Sequence, residues 1–171
     1  MKRLQDILYK VAIEAVQGTT ADVAVEKIEF DSRKIQHKDV FAAIRGTVSN
    51  GHDFIEKAII LGATVVVCDS FPNAFVQGVT YVLVKDTNAA LAIMAANFYD
   101  NPSQKLKLVG VTGTNGKTTI ASLLYQMFKK AGYKVGLLST VKIMHDELEY
   151  KAKHTKPDYL TINNFLNVKK T

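Results

Sequence analysis

Leu106-Lys107-Leu108-Val109-Gly110-Val111-Thr112-Gly113-Thr114-Asn115-Gly116-Lys117-Thr118-Thr119 is followed by Ile120, Leu123, Leu124, Met127, Phe128 and Ala131 at helical spacing. The order is an apolar run, a glycine-rich loop and an amphipathic stretch. It predicts a buried strand, a loop and a helix. That context gives the loop residues a chemical meaning. Gly113 and Gly116 let the backbone approach a large anion and adopt positive φ where the turn needs it. Successive N–H groups, together with the N-terminus of the helix, then form an anion nest. Lys117 is placed to reach the β- and γ-phosphates of a nucleotide, and the Thr118 hydroxyl to ligand Mg²⁺.

The common phosphate-loop spacing is G-x-x-x-x-G-K-[ST]. Counting back from Gly116, its first glycine falls at Val111, with Gly110 one residue early and Gly113 inside the loop. A bare strand-to-helix turn would not need the Lys117-Thr118 pair that opens the helix.

The chain has 171 residues, enough for one ordinary domain or two small ones. Residues 1–103 carry 10 Lys and Arg against 12 Asp and Glu, whereas residues 104–171 carry 12 Lys against 4 acids. This shift predicts two units meeting near Asn101-Pro102-Ser103. The basic second unit lacks arginine and aromatic-interleaved basic clusters, so nucleotide attraction and solvated lysines explain it better than nucleic-acid binding. No apolar run is long enough to span a bilayer, and Met1 to Val16 lacks the features of a signal peptide. The single cysteine, Cys68, lies in an apolar run and reads as a buried hydrophobe in a reducing cytoplasm.

In chain order, Leu4, Ile7, Leu8 and Val11 mark an opening helix. Val23 to Phe30 and Val40 to Ile44 read as extended. Asp53 and Glu56 have capping-box spacing, so a helix is expected to start at Asp53 and to stop at Gly62. Ala63 to Cys68 and Tyr81 to Val84 read as strands. Asp86 or Thr87 caps a helix bearing Leu91, Met94, Ala95 and Phe98. Val135 to Leu138 is a strand, Val141 to Tyr150 a hairpin arm, and Lys156-Pro157-Asp158 starts a last helix. Alternating strands and helices predict an α/β fold with at least partly parallel pairing. His52 reads as a loop or cap residue, His37 as a lone polar loop residue, and His145 and His154 are not at metal-ligand spacing with any other His or Cys.

Thr112-Gly113-Thr114-Asn115-Gly116-Lys117-Thr118-Thr119 resembles the ATP loop of the Mur ligase superfamily, whose members form amide bonds in peptidoglycan precursors. Phe30-Asp31-Ser32-Arg33, Asp39 to Gly46, and Asn50-Gly51-His52-Asp53-Phe54-Ile55 resemble the N-terminal UDP-binding domain of that superfamily. Thr155-Lys156-Pro157-Asp158 is similar to the Thr-Thr-Pro-Asp stretch of its tripeptide-forming branch. The resemblance implies a small N-terminal α/β UDP-binding domain over 1–103, then the start of a P-loop central ATPase domain over 104–171.

By position, the resemblance implies that Gly113, Thr114, Asn115, Gly116, Lys117, Thr118 and Thr119 hold ATP, with Mg²⁺ on Thr118 and Lys117 in the catalytic role. It implies that Ser32 binds the uridine diphosphate, beside Phe30, Thr47, Val48 and Ser49. His154, Thr155 and Lys156 would contact the muramyl dipeptide, although Lys156 replaces a threonine of the pattern and Tyr159 a small hydroxyl residue. The implied reaction is ATP-dependent addition of a diamino acid, diaminopimelate or lysine, to UDP-N-acetylmuramoyl-L-alanyl-D-glutamate by a cytoplasmic enzyme, monomeric at full length. In the superfamily a carbamylated lysine, further Mg²⁺ ligands and the amino-acid-binding third domain come later in the chain. The expectation is therefore a fragment, inactive alone. The alternative is a stand-alone nucleotide- or UDP-sugar-binding module without catalysis.

Overall fold

The computed structural model describes residues 1–46, 49–139, 142–145, 148–151 and 158–168. The chain divides into two compact units, Met1–Asp100 and Asn101–Thr171.

The first unit is built on a five-stranded sheet. Its strands are β2 (Ile13–Gln17), β4 (Ile28–Glu29), β5 (Asp39–Ala42), β6 (Ala63–Cys68) and β7 (Thr80–Val84), in the order β2-β7-β6-β5-β4. The pairs from β4 to β7 are parallel, and β2 lies antiparallel on β7. A short pair, β1 (Lys2–Arg3) with β3 (Ala24–Val25), stands apart from this sheet.

Parallel strands covered on both faces read as continuous apolar runs. Accordingly Val65, Val66, Val67 and Cys68 are all fully buried, as are Val40, Phe41 and Ala42. Strand alternation puts Phe41, Val66, Cys68 and Tyr81 in one cluster with Ile55 and Ala58 of α2 (Ile55–Ile60). Helices α1 (Leu4–Ile7) and α3 (Thr87–Phe98) pack on each other and bury Leu4, Ile7, Leu91 and Met94. The Asn97 amide fixes that packing by donating to Ile7 O at 3.0 Å and Tyr9 O at 2.6 Å.

Asp86 caps α3 as expected, its carboxylate accepting from Asn88 N at 2.8 Å and Ala89 N at 3.1 Å. The expected capping box at Asp53 does not form. Asn50 instead caps a 3₁₀ turn, Gly51–Phe54, and α2 starts only at Ile55. The competing cap wins because Asn50 bonds the chain three residues earlier and tightens it into 3₁₀ geometry. The opening helix, expected to run to Val11, ends at Ile7, and strand β2, which was not expected, follows it. Its residues are mostly exposed, so it carries little burial signal, and it exists because β7 offers a free edge.

The second unit contains α4 (Lys117–Lys130), an antiparallel sheet of β8 (Gly136–Leu138), β9 (Lys142–His145) and β10 (Leu148–Lys151), and α5 (Tyr159–Val168). Asp158 starts α5, its carboxylate accepting from Thr161 N and the Thr161 hydroxyl, both at 2.8 Å. Two expectations need correction. The apolar run Leu106 to Val111 forms no strand, and Leu108 and Val109 are 62% and 66% exposed. Apolar residues make a strand only where another strand accepts their backbone bonds, and no described residue does so here. Helix α4 has the expected extent, but its buried residue is Tyr125, whereas Ile120, Leu123 and Met127 are exposed. The apolar stripe is present, but apart from Leu124, which is half-buried, and Phe128, whose ring meets Tyr133 edge-on, it stays exposed. No helix among the described residues is long and apolar enough to cross a membrane.

Candidate functional site

The loop before α4 has the backbone that its glycines predict. Gly113 lies at φ 149° and Gly116 at φ 77°, both in the region that disfavours a side chain. Gly116 is the N-cap, and no side chain caps the helix. The first bond along the helix is Ile120 N donating to Gly116 O, at 2.9 Å. The amides of Lys117, Thr118 and Thr119 are therefore left without partners in the helix. The Lys117 ammonium folds over the loop and donates to Gly113 O and to Thr114 O, the latter at 3.0 Å. Thr118 sits half-buried in the first helical turn, and Thr114, Asn115 and Thr119 are exposed. One cation and a row of free amides thus face the same loop, an arrangement that binds a polyanion.

In the first unit, the residues of interest follow the carboxyl ends of the parallel strands. Phe30, Asp31 and Ser32 follow β4, Arg45 and Gly46 follow β5, Asp69 follows β6, and Lys85 and Asp86 follow β7. Ligands of open α/β sheets bind at this edge. Ser32 is buried at the start of a 3₁₀ turn, Ser32–Lys34, that Asp31 caps. Arg33 grips Asp31 through Nε at 2.9 Å and Nη2 at 2.8 Å, and this holds the carboxyl at about 2, well below its ordinary value. Phe30 is half-buried and Ser49 exposed. Thr47, Val48, His154, Thr155 and Lys156, singled out by the sequence, lie outside the described residues.

Sequence reasoning missed a cluster at this edge. Arg45 binds the Asp69 carboxylate through Nε and Nη2 at 2.8–3.1 Å. His52 Nε2 accepts from Asp69 N at 3.3 Å and lies 3.1 Å from Asp69 Oδ1. Asn50 Oδ1 accepts from His52 N at 3.2 Å and contacts Nδ1 at 2.9 Å. A cavity of about 600 Å³ opens beside Arg45 and Asp69, lined also by Lys85, Asp86, Asn88 and Ile93. The available signal was positional, since Asp69 and Lys85 each directly follow a buried strand. Cys68, next to Asp69, is fully buried, and burial pushes its thiol up to about 11.

Comparison with known proteins agrees in both units. The Mur ligase family catalytic domain matches residues 24–99, and the Mur ligase middle domain matches residues 111–171. The chain is 50% identical over 165 residues to a UDP-N-acetylmuramoyl-L-alanyl-D-glutamate--2,6-diaminopimelate ligase of Cytophaga hutchinsonii, covering 96% of this chain and 34% of that protein. It is 45% identical over 164 residues to the ligase of the same name from Phocaeicola vulgatus, again covering 96% and 34%. A solved structure of a ligase of that name superposes with a TM-score of 0.73 at 22% identity, over 98% of this chain and 33% of that one, which supports the fold. The chain spans about a third of the length of the curated relatives it matches. Matched in both of its units, the chain belongs to the Mur ligase family.

Proposed function

We propose that this chain supplies the UDP-substrate-binding and ATP-binding parts of a cytoplasmic peptide ligase of peptidoglycan precursor synthesis. The ligase adds a diamino acid to UDP-N-acetylmuramoyl-L-alanyl-D-glutamate. Residues 1–103 form the substrate unit, with Phe30, Ser32, Thr47, Val48 and Ser49 at the uridine diphosphate. Residues 104–171 begin the ATP unit, with Gly113 to Thr119 on the triphosphate and His154, Thr155 and Lys156 toward the muramyl dipeptide. The observation that carries the reading is the loop itself, where two positive-φ glycines precede free helix-start amides and Lys117 lies over the loop.

The chemistry has two steps. A substrate carboxylate oxygen attacks the γ-phosphorus of ATP, ADP leaves, and an acyl phosphate forms. The incoming amine then adds to the acyl carbon and expels phosphate, leaving the amide. The first step brings two anions together. Lys117 would release the carbonyls of Gly113 and Thr114, turn to the β- and γ-phosphates, and offset that repulsion alongside the loop amides. Thr118 would supply one hydroxyl oxygen to Mg²⁺, a hard cation that takes oxygen donors. Among the described residues no group of three or more His, Cys, Asp or Glu could hold it alone. When bound, it would neutralise charge on the phosphates.

Calorimetric titration of the chain with Mg²⁺-ATP tests the reading. Binding that weakens by at least about tenfold in Lys117→Ala supports it. Equal binding by the variant would remove Lys117 from the nucleotide site. Binding of the UDP-muramyl dipeptide without any response to ATP would instead favour a UDP-sugar-binding module.

A further inference from the structure

The turn that follows β5 is tied to the sheet at one point. Its two legs run antiparallel, with Gly51 N donating to Ile44 O at 2.8 Å and Gly46 N donating to Ser49 O at 3.0 Å. Between those bonds, Arg45 stands opposite Asn50 as an isolated bridge. Both legs reach the residue after β6. Arg45, on the first leg, holds the Asp69 carboxylate. Asn50, on the second leg, holds His52 Nδ1, and His52 Nε2 takes the Asp69 amide.

The proton positions follow from donor logic. An amide oxygen only accepts, so His52 Nδ1 carries the hydrogen that faces Asn50 Oδ1. Nε2 is then a lone pair, able to accept from Asp69 N–H. Burial lowers the basicity of the ring first, Arg45 acts in the same direction, and Asp69 and Asp53 oppose.

The sheet does not need these contacts. Strands β5 and β6 already pair through Val40 with Val65, Phe41 with Val66 and Ala42 with Val67, and Ala43 N donates to Val67 O at 2.8 Å. What the four side chains add is a tie between the two legs, at Arg45 and Asn50, and the end of β6. They also pair the Asp69 carboxylate with a guanidinium, which weakens its repulsion of a diphosphate approaching this edge.

We propose that Arg45, Asp69, His52 and Asn50 are positioning residues that fix Gly46 and Ser49 against the uridine diphosphate of the substrate. This rests on the substrate assignment proposed above. A loop is mobile by default, and a site on a loop needs a rigid support to keep its geometry.

Two measurements on the whole chain test it: amide hydrogen exchange, and affinity for UDP-N-acetylmuramoyl-L-alanyl-D-glutamate. In His52→Ala and Asp69→Asn, exchange at the Gly46 and Gly51 amides should speed up by at least about tenfold while Val66 and Val67 stay protected. The Kd for the UDP compound should rise by about tenfold in both variants. His52→Gln, which keeps an acceptor near the Nε2 position, should recover part of both effects. Unchanged exchange in both variants would overturn the clamp. Faster exchange with unchanged affinity would overturn its link to substrate. If His52→Ala loses protection at Val66 and Val67, it has unfolded, and Asp69→Asn decides. Failure of the unaltered chain to bind the compound would sink the substrate assignment, and this inference with it.

Discussion

Arg45 meets Asp69 in a two-pronged ion pair, with Nη2 2.8 Å from Oδ1 and Nε 2.9 Å from Oδ2, and so joins the turn after β5 to the end of β6. Both partners are held in their charged forms. The bond to Arg45 depresses the Asp69 carboxyl, and the same bond raises the Arg45 guanidinium. Asp31 and Arg33 repeat the arrangement after β4.

These pairs make the first unit acid-sensitive. Asp31, Asp69 and His52 all have folded pKa values below their ordinary ones. Their contribution is therefore fully present above the unfolded values and is lost as pH falls through the folded ones. His52 acts first, below its ordinary 6.5, and Asp31 last, between 3.8 and about 2. Asp39 opposes them, because burial raises its carboxyl and protonation relieves it. Urea midpoints measured across this range should fall toward acid. Asp31→Asn should start lower at neutral pH and decline less steeply below pH 3.8. Parallel curves would show that the Asp31–Arg33 pair contributes nothing.

Gly51 has no room for a side chain. A Cβ there would meet Ile44 O at 2.6 Å, Ile44 N at 2.7 Å and Ala43 C at 2.9 Å, all backbone atoms that cannot step aside. Gly51→Ala should destabilise the first unit by about 1–3 kcal/mol. Ile60→Ala, at an 84% exposed position in the same unit, should stay within about 0.5 kcal/mol. Thermal melts of the two variants separate the cases, and equal melting temperatures would refute the close approach.

Gly116→Ala tests the phosphate loop without touching a charge. Its φ of 77° costs an L-residue about 1–2 kcal/mol, although a Cβ would meet nothing closer than Ile120 Cδ1 at 3.9 Å. The strain should pull the loop away from its nest geometry. Mg²⁺-ATP affinity should drop by roughly tenfold while helix content, read by circular dichroism, is retained. Unchanged affinity would mean that the left-handed Gly116 is only a helix boundary.

Cys68 should be chemically silent in the folded chain. It is fully buried and its thiol is pushed up to about 11, so little thiolate exists near neutrality. Labelling by a soluble disulfide reagent at pH 8 should run at least about a hundredfold slower than in urea. Comparable rates would place Cys68 in an open segment rather than in the sheet.

Features written in contiguous residues are legible before the chain folds. Ala63 to Cys68 is legible as a buried strand because all of its six residues but Thr64 avoid water, on both faces of a parallel sheet. Asp86 is legible as a cap because its partners, Asn88 and Ala89, lie two and three residues ahead. The loop from Gly113 to Lys117 is legible because its chemistry and its backbone demands are local. Tertiary structure decided what depends on distant partners. It left Leu106 to Val111 outside any strand, because strand pairing is not a property of one segment. It turned Tyr125, rather than the apolar stripe of α4, into the unit. It also brought Arg45, Asn50 and His52 to Asp69 across a gap of up to 24 residues, because parallel pairing of β5 and β6 sets their carboxyl ends side by side. No periodicity in the chain encodes that meeting, which exists only once the sheet has formed.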